Sequence, residues 1–340
     1  HTSWFIAMSK LRSQMQKNNA QINWTPAHLK DGRFGQWLKE LRDWSISRNR
    51  YWGTPIPVWE CEKKKCDKKL VISGFNDLVK HNISTNKYYG VRHGEATHNV
   101  DGKIASGPEK GKNVSRLTEK GEKEAEKLAN SLNKKKIDII FSSPYTRTRE
   151  TAKVIAKVTG AEIKIDKRLG EIDLGVLNWR DWSAYKEFTK GMDKFVHAPK
   201  GGETLSDVRK RVIDFARDVE KRHRNKNIVI VSHGDPVRVL DGSLKGWSDE
   251  KILEGVVYPE TGSLRELQSP VLPYNSEGKL DVHRPYIDEV VLKCPKCKKN
   301  SMRRISDVID VWFDSGSMPL AQEHFPFDQI EGTVPTTNEK

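Results

Sequence analysis

Two short apolar runs in this chain break at the same pair of residues. Lys87-Tyr88-Tyr89-Gly90-Val91-Arg92-His93-Gly94-Glu95 and Asn227-Ile228-Val229-Ile230-Val231-Ser232-His233-Gly234-Asp235 each read as a buried strand that ends at His-Gly. Strands this rich in β-branched and aromatic residues belong to sheets covered on both faces, and such α/β sheets bind ligands at the carboxyl edge of their strands. Arg92 brings a fixed cation to that edge and His93 a nitrogen nucleophile, a pairing suited to phosphate.

The chain around these runs alternates strand and helix. Further strands are expected near 137–142, 162–166 and 262–267, and helices near 118–132, 144–159, 204–222 and 236–245. Leu205, Val208, Val212, Phe215 and Val219 form the clearest amphipathic stripe. The pattern predicts an α/β three-layer sandwich with a mostly parallel sheet. Polar stretches at His81–Asn86 and Ser269–Glu277 bound it as a tolerated insertion would be bounded. The expected organisation is therefore a segment over 1–84, an inserted domain over 85–269 and a second segment over 270–340. Neither a membrane-length apolar run nor a signal-peptide pattern is present, which predicts a cytoplasmic protein with no membrane partner. The net charge of +14 favours polyanionic partners, nucleic acid first, although Lys63–Lys65 and Lys134–Lys136 read rather as solvated faces. Cys61, Cys66, Cys294 and Cys297 fall into two closely spaced pairs, which in such a compartment points to metal rather than disulfides.

Two more segments belong with the His-Gly runs. Phe141-Ser142-Ser143-Pro144-Tyr145-Thr146-Arg147 is a strand end followed by a Pro-started helix with an early arginine, and Arg168-Leu169-Gly170-Glu171-Ile172-Asp173-Leu174-Gly175 holds a carboxylate in a glycine-bounded turn. With these four motifs in order, residues 86–268 resemble the histidine phosphatase (phosphoglycerate mutase-like) family. The resemblance implies phosphomonoester hydrolysis of a phosphorylated small molecule, with no cofactor. His93 would attack phosphorus and become phosphohistidine. Arg92, Arg147, Asn99 and His233 would hold the phosphoryl oxygens, and Glu171 would protonate the leaving oxygen and then activate water. Arg149 or Arg168 takes the place of Arg147 if the helix register differs, and Asp235 is the rival acid. Gly202 and Glu203 match family positions too; Ala96 and Asn178-Trp179-Arg180 depart from the pattern. The stretch Asn178–Gly201, with Trp179, Trp182, Tyr185 and Phe188, reads as a modest lid.

The flanks carry a second resemblance. Asp43-Trp44-Ser45-Ile46-Ser47-Arg48-Asn49-Arg50-Tyr51-Trp52-Gly53-Thr54-Pro55-Ile56-Pro57, Asp281–Asp288 and Asp307–Pro319 are similar to segments of isoleucyl-tRNA synthetases, over residues 1 to about 80 and 278–340. This implies a host that uses ATP and binds tRNA. The chain has neither the His-x-Gly-His nor the Lys-Met-Ser-Lys-Ser motif that making the aminoacyl-adenylate needs, and its opening at His1 points to a piece of something longer. Synthetases of this kind carry cysteine pairs at the positions seen here. A structural zinc on Cys61, Cys66, Cys294 and Cys297, in a small α+β zinc ribbon split by the insertion, is the simplest architecture. Phe34, Trp37, Leu38, Leu41 and Trp44 predict one helix with a buried face. Trp52 and Trp312 read either as amino-acid-pocket residues or as core. The alternative function is a catalytically idle phosphate- or RNA-binding insertion that serves aminoacylation.

Overall fold

The computed structural model describes residues 3–107, 109, 113–298 and 301–323. Its central sheet contains β1 (Lys87–Arg92), β2 (Ile139–Ser142), β3 (Glu162–Ile165), β4 (Asn227–Ser232) and β5 (Leu264–Leu267), in the order β5-β1-β4-β2-β3. The first four run parallel; β5 lies antiparallel on β1, with Leu267 opposite Tyr88 and Leu264 opposite Val91.

Alternation along these strands builds the three layers. Tyr89, Val91, Ile140, Val229 and Val231 face one way, onto Leu128, Ala129 and Leu132 of α1 (Glu119–Asn133) and Ala152 and Ile155 of α2 (Thr146–Thr159). Tyr88, Ile139, Phe141, Ile228 and Ile230 face the other, onto α3 (Leu205–Arg222) and α4 (Gly234–Leu244). The predicted stripe of α3 is buried at all five positions. A capping box starts this helix: Thr204 Oγ1 accepts from Asp207 N at 3.1 Å, and Asp207 Oδ2 from Thr204 N at 2.9 Å.

A second, four-stranded antiparallel sheet comprises Leu292–Lys293, Ser301–Arg304, Val58–Cys61 and Lys69–Val71. Its core residues Trp59, Leu292 and Met302 belong to the same buried cluster as Phe141, Phe215 and Val219 of the larger domain. Trp59 Nε1 donates to Val290 O at 2.9 Å, and Arg217 of α3 reaches Glu289 Oε2 at 2.7 Å. The stretch after Ser269, which reads as a polar linker, is a short turn closed by a Tyr274–Leu280 bridge. It buries Leu272 and Tyr274, and Tyr274 Oη donates to Ser243 O of α4 at 3.2 Å. Entry and exit of the inserted domain are adjacent: Ser269 Oγ donates to Asn86 O at 3.4 Å.

One expectation fails near the start. The helix predicted over Phe34–Trp44 ends at Lys39, and Trp44–Ser45 is a strand paired with Phe5–Ile6. Leu38 and Leu41 are buried, whereas Trp37 is 53% exposed. Trp52 and Trp312 are 76% and 74% exposed, so neither is core. The part of the last segment over 324–340 lies outside the described residues. Among the described residues no helix is long and apolar enough to cross a membrane.

Candidate active site

The carboxyl ends of β1 and β4 lie side by side, so the two His-Gly pairs meet. His93 N donates to Ser232 O at 3.1 Å. Gly94 is required by a close approach of backbone: a Cβ there would stand 2.3 Å from Gly121 O at the start of α1. The ring centroids of His93 and His233 are 5.2 Å apart, and both side chains are buried.

Hydrogen bonding defines the tautomer of each ring. His93 Nδ1 lies 2.7 Å from Gly94 O, an acceptor, so Nδ1 carries the proton. Its Nε2 accepts from Arg147 Nε at 3.1 Å and is therefore the unprotonated nitrogen. His233 Nδ1 accepts from Arg147 Nη2 at 3.0 Å, and Nε2 donates to Ser143 Oγ at 2.8 Å. Burial, then the Arg147 charge, holds both imidazoles well below their ordinary pKa of 6.5, with Arg92 also acting on His93. Both rings are neutral at neutral pH.

Arg147 sits in the first turn of α2, whose start is placed by Pro144 and Tyr145. Its guanidinium turns the Nε–Nη2 edge toward the two histidines, while Nη2 also donates to Ala105 O at 2.9 Å. Nη1 is buried and has no hydrogen-bond partner among the described residues; Glu109 Oε1 stands 3.9 Å from it. Arg92 donates through Nη1 to Pro259 O at 2.8 Å and packs on the Tyr258 ring, and its buried Nε has no hydrogen-bond partner among the described residues. The rival arginines point elsewhere. Arg168 is held by Asp166, Asp214 and Asp218, and Arg149 is exposed.

Glu171 completes the cluster, with Oε2 3.9 Å from His233 Nδ1. Burial, and then the nearby Asp235 charge, pushes its pKa up to about 7. Asp235, in the first turn of α4, is raised as well by burial. At neutral pH Glu171 thus divides between acid and base forms, a state in which a carboxyl group can both donate and accept a proton. Asn99 lies in the turn after His93, where its Oδ1 accepts from Ala96 N and its Nδ2 donates to His98 Nε2, each at 3.0 Å. In the stretch read as a lid, Tyr185 is buried and Trp182 and Phe188 pack against the core.

Three contributors carried no signal in the sequence. His98 is buried with its ring 5.7 Å from that of His93. Tyr145 stands edge-on to His233 at 4.9 Å. Arg211, one of six basic residues on α3, hydrogen-bonds the turn that carries Glu171.

In the smaller sheet the four cysteines converge, their sulfurs all within 4.8 Å of one another. Cys61–Cys297, Cys66–Cys297 and Cys66–Cys294 are separated by 3.4, 3.6 and 3.9 Å. A tetrahedral ion with sulfur ligands at about 2.3 Å needs edges of about 3.8 Å, so these four residues could hold a metal.

Comparison with known proteins agrees with both parts of this architecture. Residues 88–268 match the profile of the histidine phosphatase superfamily (branch 1), and residues 1–100 and 254–337 match that of the class I tRNA synthetases (I, L, M and V). Isoleucine–tRNA ligase 2 of Pseudomonas fluorescens is 59% identical over 61 residues, which are 18% of this chain and 6% of that protein. The chain spans 6% to 7% of the length of such curated relatives. Among solved structures, a mycobacterial glucosyl-3-phosphoglycerate phosphatase complexed with VO3 aligns at 23% identity and TM-score 0.47, over 53% of this chain and 91% of that one. Bacillus stearothermophilus YhfR aligns at 25% identity and TM-score 0.48, over 58% and 94%. Each of the two profiles covers more than half of the 340 residues, and the chain belongs to both families: a histidine phosphatase superfamily domain set within a class I tRNA synthetase region.

Proposed function

We propose that residues 85–269 hydrolyse phosphomonoesters of small molecules through a phosphohistidine at His93. In the first step the Nε2 lone pair of His93 attacks phosphorus, the bond to the leaving oxygen breaks, and protonated Glu171 gives that oxygen its proton. In the second, Glu171 carboxylate takes a proton from water, the water oxygen attacks phosphorus, and the phosphorus–nitrogen bond breaks. Arg92, Arg147, His233 and Asn99 hold the remaining phosphoryl oxygens.

The observation that carries this reading is the Nε–Nη2 edge of Arg147, which spans two neutral, buried histidines. A phosphoryl oxygen that takes the Nε donor releases the His93 lone pair as it brings phosphorus to it. The test is trapping of an acid-labile phosphoenzyme after mixing with labelled ester. Wild type forms it, and His93→Ala neither forms it nor turns over. Full hydrolysis by His93→Ala sinks the mechanism and favours the idle phosphate- or RNA-binding insertion.

The metal reading is zinc on Cys61, Cys66, Cys294 and Cys297. It would cross-link the ribbon and take no part in the phosphatase chemistry. ATP-dependent ligation of isoleucine to tRNA, in the cytoplasm, is the corresponding reading for the full-length host, supported by the synthetase profile and the names of the relatives.

A further inference from the structure

The turn that presents Glu171 has little regular secondary structure. After a single 3-10 turn over Lys167–Leu169 the chain runs free of helix and strand to Leu174. Four consecutive carbonyls in it, from Arg168 to Glu171, are nevertheless engaged by side chains from other elements. Arg211 Nη1 donates to Arg168 O at 2.6 Å and to Gly170 O at 2.8 Å, and Nη2 donates to Glu171 O at 3.1 Å. Leu169 O accepts from Ser232 Oγ, the residue before His233, at 2.7 Å.

Glu203 holds Arg211 from behind. Its Oε1 accepts from Arg211 Nε and its Oε2 from Arg211 Nη2, both at 3.0 Å, and Oε2 accepts from Asp173 N at the same distance. Glu203 N in turn donates to Asp173 O at 2.7 Å. That contact needs Gly202, where a Cβ would meet Asp173 O at 2.7 Å. Both charged side chains are mostly shielded, with Arg211 17% and Glu203 29% exposed. None of these bonds reaches the Glu171 carboxylate. Together they grip the backbone on both sides of it.

We propose that Arg211, backed by Glu203, is a positioning residue for the general acid: it fixes the Glu171 turn against α3 so that the carboxyl group meets the leaving oxygen. The proposal rests on the reading of Glu171 as the acid. A planar guanidinium can serve three carbonyls and one carboxylate at once, whereas a lysine ammonium at the same place cannot.

The consequence is selective. Expulsion of an alkoxide needs a proton and expulsion of p-nitrophenolate does not, so a loosened acid slows the first reaction and spares the second. The experiment compares wild type, Arg211→Lys, Glu203→Gln and Glu171→Gln in the first half-reaction under single-turnover conditions. Glycerol phosphate and p-nitrophenyl phosphate are the two esters, with inorganic phosphate affinity and thermal midpoint measured alongside. The expected result for Arg211→Lys and Glu203→Gln is at least a tenfold loss with glycerol phosphate. Loss with p-nitrophenyl phosphate, and change in phosphate affinity, should stay within about threefold. The alkaline limb of the glycerol phosphate rate should also move to lower pH, because a loosened turn admits water to the carboxyl group.

Equal losses with the two esters, in step with a lowered thermal midpoint, overturn the proposal and leave Arg211 a merely structural residue. Unchanged rates with both esters overturn it too. If Glu171→Gln itself shows no difference between the esters, the assignment of the acid falls, a separate outcome from failure of Arg211 alone.

Discussion

Replacing Glu171 by glutamine should make the protein more stable as the pH rises, at the expense of its chemistry. The carboxyl group titrates at its ordinary 4.5 when unfolded and at about 7 in the fold, raised first by burial and then by Asp235. Between those values the folded state binds the proton and the unfolded state releases it, so stability falls with pH across that window and levels off above it. At about 1.4 kcal/mol for each tenfold in proton affinity, the loss reaches about 3 kcal/mol. Glutamine is neutral throughout, and its amide oxygen can still accept from Ile172 N, as Glu171 Oε1 does at 2.9 Å. The assay is thermal or urea unfolding of wild type and Glu171→Gln at half-unit steps from pH 4.5 to 8.5. The two should coincide at the acid end and separate above it, by roughly 5–10 °C at pH 8 for a difference of this size. Parallel curves over the whole range would refute the argument, since they would mean that Glu171 ionises as easily folded as unfolded.

Three further outcomes follow from the same geometry. Arg147→Ala should lower kcat/KM by two orders of magnitude or more. Arg168→Ala, whose guanidinium is spent on Asp166, Asp214 and Asp218, should stay within about threefold, and a large loss there would reverse the assignment of the two arginines. Elemental analysis should find one zinc per chain, with its removal by a strong chelator lowering the thermal midpoint while leaving the initial phosphatase rate unchanged; absence of zinc, or an immediate loss of rate, contradicts the assignment. An excised fragment 85–281 should be more stable than 85–269 by about 2–4 kcal/mol, because only the longer one keeps Leu272 and Tyr274 on α3 and α4, and equal urea midpoints would argue otherwise.

What could be read in advance followed the reach of each signal. The α3 stripe and the apolar strand runs are local periodicities, and their ends fall within one or two residues of the structure. Arg147 was legible because Pro144 punctuates the start of α2 and so places the arginine in its first turn. The Arg168–Gly175 turn identified Glu171 but not what holds it, since Arg211 and Ser232 lie some 40 and 60 residues away and meet the turn only through the tertiary fold. Trp44 misled for a related reason: its apolar side chain serves a strand whose partner, Phe5–Ile6, is far along the chain, and that pairing overrides helical spacing. The stretch after Ser269 reads as a polar boundary because its serines, Asn275 and Glu277 mask Leu272 and Tyr274, which are buried together with both prolines.

The antiparallel course of β5 has a consequence for the cysteine cluster. Cys66 and Cys294 are 228 positions apart, and holding the ends of a flexible loop of that length together costs about 5 kcal/mol of chain entropy. With the inserted domain folded, Tyr88 and Leu267 are already paired, and roughly 50 residues of chain remain to be closed, at a cost of about 3.5 kcal/mol. The difference, about 1.4 kcal/mol, corresponds to roughly a tenfold gain in the population of chains whose four sulfurs stand ready for an ion. The folded insertion therefore acts on the ribbon as a short tether would, and conditions that melt it should weaken the hold of the four cysteines on any ion before a cysteine is altered.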